Sequence, residues 1–67
     1  MFKKGDIVKD TKYKQNLYEI AEIVEKSPKI VRLMKLTDGT TILAMFTTLE
    51  QEFVRVLDGN DIMKGML

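Results

Sequence analysis

The chain contains no cysteine, no histidine and no tryptophan, and it has a single proline. Without cysteine there is neither a disulfide to constrain it nor a thiolate to hold a metal. Without histidine it lacks the side chain that most often carries protons near neutral pH and most often ligates metals. Aromatic residues make up only 7%, and the four glycines are isolated, so no glycine-rich phosphate loop is present. No apolar run approaches the roughly 18 residues of a membrane span. The opening MFKKGDIV has two lysines but no apolar stretch behind them. It therefore does not read as a secretion signal, and a cytoplasmic location is the expectation.

What is present is apolar surface and balanced charge. The chain has 67 residues, 45% of them hydrophobic, enough for one domain spanning residues 1–67. A chain of this size buries only about 60% of its unfolded surface, so a small core must hold it. Net charge is +1 but unevenly spread. Residues 1–35 carry nine Lys/Arg against five Asp/Glu, a net +4, whereas residues 36–67 carry two against five, a net −3. Such a split can give the folded chain a basic face and an acidic face.

The clearest local signal is LMKLTDGTTILAMF. Apolar runs rich in β-branched residues flank Asp38-Gly39, a pair favoured in tight type I′ turns, which predicts antiparallel strands over residues 29–36 and 41–46. TTLEQE then offers a threonine three residues ahead of an acid or amide, a capping-box pattern. The apolar run behind it is short, so a single helical or 3-10 turn is expected near residues 47–51. FVRVL alternates and predicts a strand at 53–57, closed by Asp58-Gly59-Asn60. A short strand is expected at 6–9. Residues 17–26 are ambiguous. Leu17, Ile20, Ala21 and Val24 fit a helical face with Asn16 as cap, while Tyr18, Ile20 and Glu22 alternate as in a strand that needs a bulge before Ile23-Val24. The order of the other elements decides for a strand, and α+β with a helix at 17–26 is the alternative.

Taken together, Phe2-x-x-Gly5-Asp6-Ile7-Val8, Tyr18-x-Ile20-x-x-Ile23-Val24, Asp38-Gly39, and Leu49 with Phe53-Val54-Arg55-Val56 carry a resemblance. Over about residues 2–57 the chain resembles the Src-homology-3-like small β-barrels, including their KOW-type and Tudor-type relatives. The resemblance implies an all-β, five-stranded barrel whose second strand is long and bent, absorbing a bulge at Ala21–Glu22. The chain departs from the peptide-binding members in having no tryptophan and no aromatic pair, so their proline-rich ligand is not implied. It also shows no methyl-lysine cage. Beyond the barrel, Ile62, Met63, Met66 and Leu67 form an apolar tail that either covers one end of the barrel or docks on another chain.

Catalytic chemistry finds little footing. Ser27 is the only serine, it precedes Pro28, and no histidine is available to activate it. The pairs Asp6/Asp10, Glu19/Glu22/Glu25 and Glu50/Glu52 read as solvated charge. Asp58-Gly59-Asn60-Asp61 lacks the spacing of a calcium loop. No catalytic residue, cofactor or metal ligand is expected, and the chain reads as a non-enzyme. Two binding readings follow. The first is a protein-binding module, an adaptor, inhibitor or accessory subunit, whose contacts are Tyr13, Tyr18, Met63, Met66 and Leu67, the last three also able to pair two copies. The alternative is a nucleic-acid binder using Lys9, Lys12, Tyr13, Lys14 and Arg32, a role that KOW-type barrels often have. A pI near 8 makes the second reading the weaker electrostatic commitment.

Overall fold

A computed structural model of the chain describes residues 2–12 and 16–59. The elements run β1 (Ile7–Asp10), β2 (Leu17–Val24), β3 (Ile30–Lys35), β4 (Thr41–Met45), α1 (Phe46–Glu52) and β5 (Phe53–Leu57). The five strands form one open antiparallel sheet in the order β4-β3-β2-β1-β5, and α1 is a short helix set between β4 and β5. The all-β class fits this arrangement. Among the described residues no helix is long and apolar enough to cross a membrane.

Residues 17–24 are extended, so the helical alternative at 17–26 does not form. Its apolar spacing loses to pairing on both sides. β2 is the central strand, bonded to β1 and β3, and it sends Tyr18 and Ile20 inward against Val8 and Leu33. The ladder matches Ile20 with Leu33 but Glu22 with Arg32, leaving Ala21 as the extra residue of a bulge. A one-residue insertion reverses the side-chain phase. Ile23 is thereby returned to the core side, where it packs against the buried cluster.

That cluster is Val8, Tyr18, Ile20, Val31 and Leu33 from the sheet, Phe46 and Leu49 from α1, and Phe53 from β5. A helix of seven residues is too short to persist alone. Phe46 and Leu49 lie three apart on one helical face, and burying each contributes about 1.5–3 kcal/mol toward holding α1 on the sheet. The anticipated capping box is not made. Met45 is the N-cap, with no side-chain hydrogen bond, because the helix starts before the threonines and draws Thr47 and Thr48 inside it.

The β3–β4 hairpin also differs from expectation. It closes through four residues, 36–39, rather than a two-residue turn, with the Lys35 N–H donating to the Thr40 carbonyl at 2.8 Å and the Gly39 N–H to the Lys35 carbonyl at 2.8 Å. Gly39 takes φ +74°, which a glycine adopts without strain. The Asp38 carboxylate accepts the Thr40 N–H at 2.9 Å and stabilises this wider loop. The hydroxyl and amide of Thr40 hold the Asp38 carboxyl below its ordinary value.

Candidate functional site

Along β1 the inward positions alternate. Asp6, which extends the ladder by accepting the Ile20 N–H on its carbonyl at 2.9 Å, precedes Val8 and Asp10 on the same side, and all three are buried. The two aspartates, expected as solvated charge, therefore sit at opposite ends of one buried row.

At the Asp6 end the carboxylate is 0% exposed and fully engaged. It accepts the Lys3 N–H at 3.0 Å, the Gly59 N–H at 2.8 Å and the Lys3 ammonium at 3.2 Å, with the Arg55 guanidinium 3.7 Å away. Asp58 completes the group, 2.6 Å from Lys3 and 3.5 Å from Arg55. Burial pushes the Asp6 carboxyl up, but the Gly59 and Lys3 amides and the Lys3 ammonium outweigh it and hold the carboxyl below its ordinary value. The hydrogen bond to Asp58, with Asp6 behind it, raises the Lys3 ammonium. This end is a closed knot that ties the N-terminal turn to β5.

At the Asp10 end the molecule opens. A cleft of about 470 Å³ lies between the β1–β2 connection, β4 and the α1–β5 junction. Tyr18 and Phe53 make its floor, their rings edge to face at 5.8 Å and 74°. Ile42 and Ala44 of β4 form an apolar wall, and Asp10, Asn16, Thr48 and Glu52 make a polar rim. The rim is braced. The Thr11 N–H and hydroxyl both donate to the Glu52 carbonyl, at 2.9 and 2.8 Å, and the Lys12 N–H donates to the Asp10 carboxylate at 2.8 Å. The Asp10 N–H reaches the Asn16 carbonyl at 3.0 Å, closing the base of the loop. Among the described residues two carboxylates, Asp10 and Glu52, stand on this rim, with the ammonium of Lys12 4.0 Å from Glu52. Aromatic floor, aliphatic wall and acidic rim suit a side chain with an apolar stem and a cationic head.

Of the residues expected to contact a protein, Tyr18 is at this cleft, 8% exposed as part of its floor rather than standing out from a loop. Tyr13, Met63, Met66 and Leu67 lie outside the described residues, as does Lys14 of the nucleic-acid set. Lys9 occupies the outer face of β1, level with Leu17 and Val54. Arg32 stands on the outer face of β3, 3.2 Å from Glu22, and Lys12 is at the cleft rim. Lys9 and Arg32 share the outer face of the sheet, on strands separated by β2, while Lys12 is at the rim, and Lys12 and Arg32 already face a carboxylate. Sequence reasoning missed Asp10, Ile42, Glu52 and Phe53 as neighbours. The alternation Asp6-Val8-Asp10 was the one signal that could have placed an acid inside. Among the described residues no three Asp or Glu side chains cluster to hold a metal ion.

Neither family models nor curated proteins nor solved structures match this chain.

Proposed function

We propose that the chain is a non-catalytic protein-binding module that receives a basic, partly apolar segment of a partner protein in the cleft beside Asp10. The observation that carries this reading is the pairing of an aromatic floor with a braced rim that bears the carboxylates of Asp10 and Glu52, in an open cleft of about 470 Å³, a size that fits one or two side chains. The partner's aliphatic stem lies over Tyr18 and Phe53, and its ammonium or guanidinium meets Asp10 and Glu52. Bracing by Thr11 and Lys12 means little rim order has to be created on binding, which lowers the entropic cost.

In fold terms we read the chain as a Src-homology-3-like small barrel. Three features support this: the strand order β5-β1-β2-β3-β4, the long β2 bent at Ala21, and a helical turn directly ahead of the last strand. The cleft then lies beside the long β1–β2 loop.

The test is selection from a random peptide library with wild-type protein and with Thr48→Arg, which places a long cationic side chain at the rim. Wild-type protein is expected to enrich peptides with a Lys or Arg next to apolar residues, shifting the amide resonances of Tyr18 and Phe53, and Thr48→Arg to enrich none of them. Absence of enrichment, or resonance shifts confined to the outer face of the sheet, would sink the reading.

A further inference from the structure

The sheet has two edges, and they are not alike. β5 carries Arg55 and a register shift against Ile7/Val8, both devices that discourage another strand from adding on. β4 has none. Its five residues, TILAM, include no charge, no proline and no bulge, and the register to β3 runs unbroken from Ile30↔Met45 to Met34↔Thr41. Leu43 is 71% exposed, and Ile42 and Met45 are also exposed. The bonds from Lys35 to Thr40 and from Phe46 to Lys29 fix the phase of this ladder. In an antiparallel pair the bonded positions alternate, so Ile42 and Ala44 bond β3 while Thr41, Leu43 and Met45 direct their N–H and C=O away from it.

We propose that β4 pairs antiparallel with β4 of a second copy of this chain, about a two-fold axis at Leu43. The strand is self-complementary in three respects. With Leu43 opposite Leu43, the Leu43 N–H and C=O bond their symmetry mates, and the Met45 N–H on each side reaches the Thr41 carbonyl of the other copy. On the inner face Ile42 falls opposite Ala44, large against small; on the outer face Met45 falls opposite Thr41 and leucine meets leucine. Charge is compatible as well. The strand is neutral, and Arg32, the residue paired with Leu43 inside each copy, is held by Glu22 at 3.2 Å. Two identical copies therefore meet without like charges opposed, which is the condition for an isologous contact. The result is a continuous ten-stranded sheet with both Asp10 clefts on the same side, a bivalent arrangement. The pairing does not require an occupied cleft, although Ile42 and Ala44 belong both to the seam and to the wall of each cleft.

Sedimentation equilibrium and native mass spectrometry on the full chain test this. Wild-type protein is expected to be a dimer, and Leu43→Lys, at an exposed position, to remain folded by circular dichroism but to become monomeric, with a dissociation constant raised more than about tenfold by the two ammonium groups set opposite each other. Leu43→Glu alone should also be monomeric, whereas mixing the Leu43→Lys and Leu43→Glu chains should restore a mixed dimer and no homodimer. A wild-type monomer at millimolar concentration overturns the proposal. So does a dimer untouched by either substitution, or a failure of the mixed pair to assemble, since both would place the contact elsewhere.

Discussion

Asp6 and Asp10 stand four residues apart on the same side of β1, both buried, and serve opposite ends. Around Asp6 the hydrogen bonds come from Lys3 and Gly59, Arg55 adds an ion pair at 3.7 Å, and its own backbone joins β2, so the carboxylate closes the structure. Around Asp10 the Lys12 amide donates at 2.8 Å, and an open cleft with a second carboxylate, Glu52, lies alongside. A buried acid surrounded by cations and amides is committed to the fold. A buried acid at the mouth of a cleft beside another acid presents negative potential to whatever enters. One residue type in one strand thus divides between stability and recognition according to what the neighbouring elements bring to it.

Removing each carboxylate should break the pair apart. Asp6→Ala leaves the Gly59 and Lys3 N–H groups without their buried acceptor, while the partly exposed Lys3 and Arg55 side chains keep Asp58, so the loss should be about 2–3 kcal/mol. For so small a domain that is a large share of the total stability. Asp10→Ala removes the acceptor of the Lys12 N–H at the mouth of the cleft, where solvent can reach the vacated donor, and should cost less, about 1–2 kcal/mol. Urea midpoints of the two variants measure the contrast, and equal losses would mean that both ends are structural.

Gly59 sharpens the same contrast from the backbone side. A Cβ there would lie 2.9 Å from the Gly5 carbonyl carbon and 3.1 Å from its oxygen, main-chain atoms in a turn where Gly5 itself sits at φ +94°. Gly59→Ala has to push the two segments apart and weaken the Gly59 bond to Asp6, a loss of about 1–3 kcal/mol in urea midpoint terms. Gly39→Ala has open space around it, so its cost is confined to the positive φ, about 1 kcal/mol.

The order of elements along the chain and most of their boundaries were legible from the sequence because alternation and turn residues are local signals. FVRVL came out as the strand at 53–57, and the bulge fell at Ala21 because Ile20 and Ile23 must both face inward. The hairpin loop was misjudged because Asp38-Gly39 has two uses: a two-residue turn, or an Asp side-chain bond to Thr40 followed by a left-handed glycine. The site was far less legible. Asp10, Ile42 and Phe53 belong to three different elements and meet only through the register β4-β3-β2-β1-β5, which no single stretch encodes. Asp6 read as solvated because two of its partners, the Gly59 N–H and the Arg55 guanidinium, lie some fifty residues along the chain.

Acid titration separates the ends more finely. The folded Asp6 carboxyl titrates below its ordinary value of 3.8, so folding favours its ionised form. Its contribution is complete above the unfolded carboxylate value of about 3.9 and is lost as pH falls through the lower folded value. Lys3 works in the other direction. Its raised ammonium contributes below the ordinary value of 10.5, and that contribution disappears as pH climbs through the higher folded value. Stability measured from pH 5 down to pH 2 should therefore fall more steeply in wild-type protein than in Asp6→Asn, which has no proton to take up. Parallel curves would show that the knot is held by its backbone bonds and not by its charge.

The smallest expected effect tests the cleft end by leaving the fold alone. Asp10→Asn keeps an oxygen that can accept the Lys12 N–H, and Glu52→Gln keeps the Glu52 carbonyl that Thr11 bonds, so stability should move by no more than about 0.5 kcal/mol for either. What changes is the rim charge. If a cationic head on the partner meets these carboxylates near solvent, each substitution removes up to about 1 kcal/mol, roughly a fivefold loss in affinity for a selected basic peptide, and the loss should shrink as salt is added. Thr48→Arg, by contrast, abolishes binding whatever the charge of the ligand. If affinity survives both neutralising substitutions but not Thr48→Arg, then the aromatic floor of Tyr18 and Phe53 selects the ligand and Asp10 only holds the loop, and the two aspartates of β1 are more alike than the shape of the cleft implies.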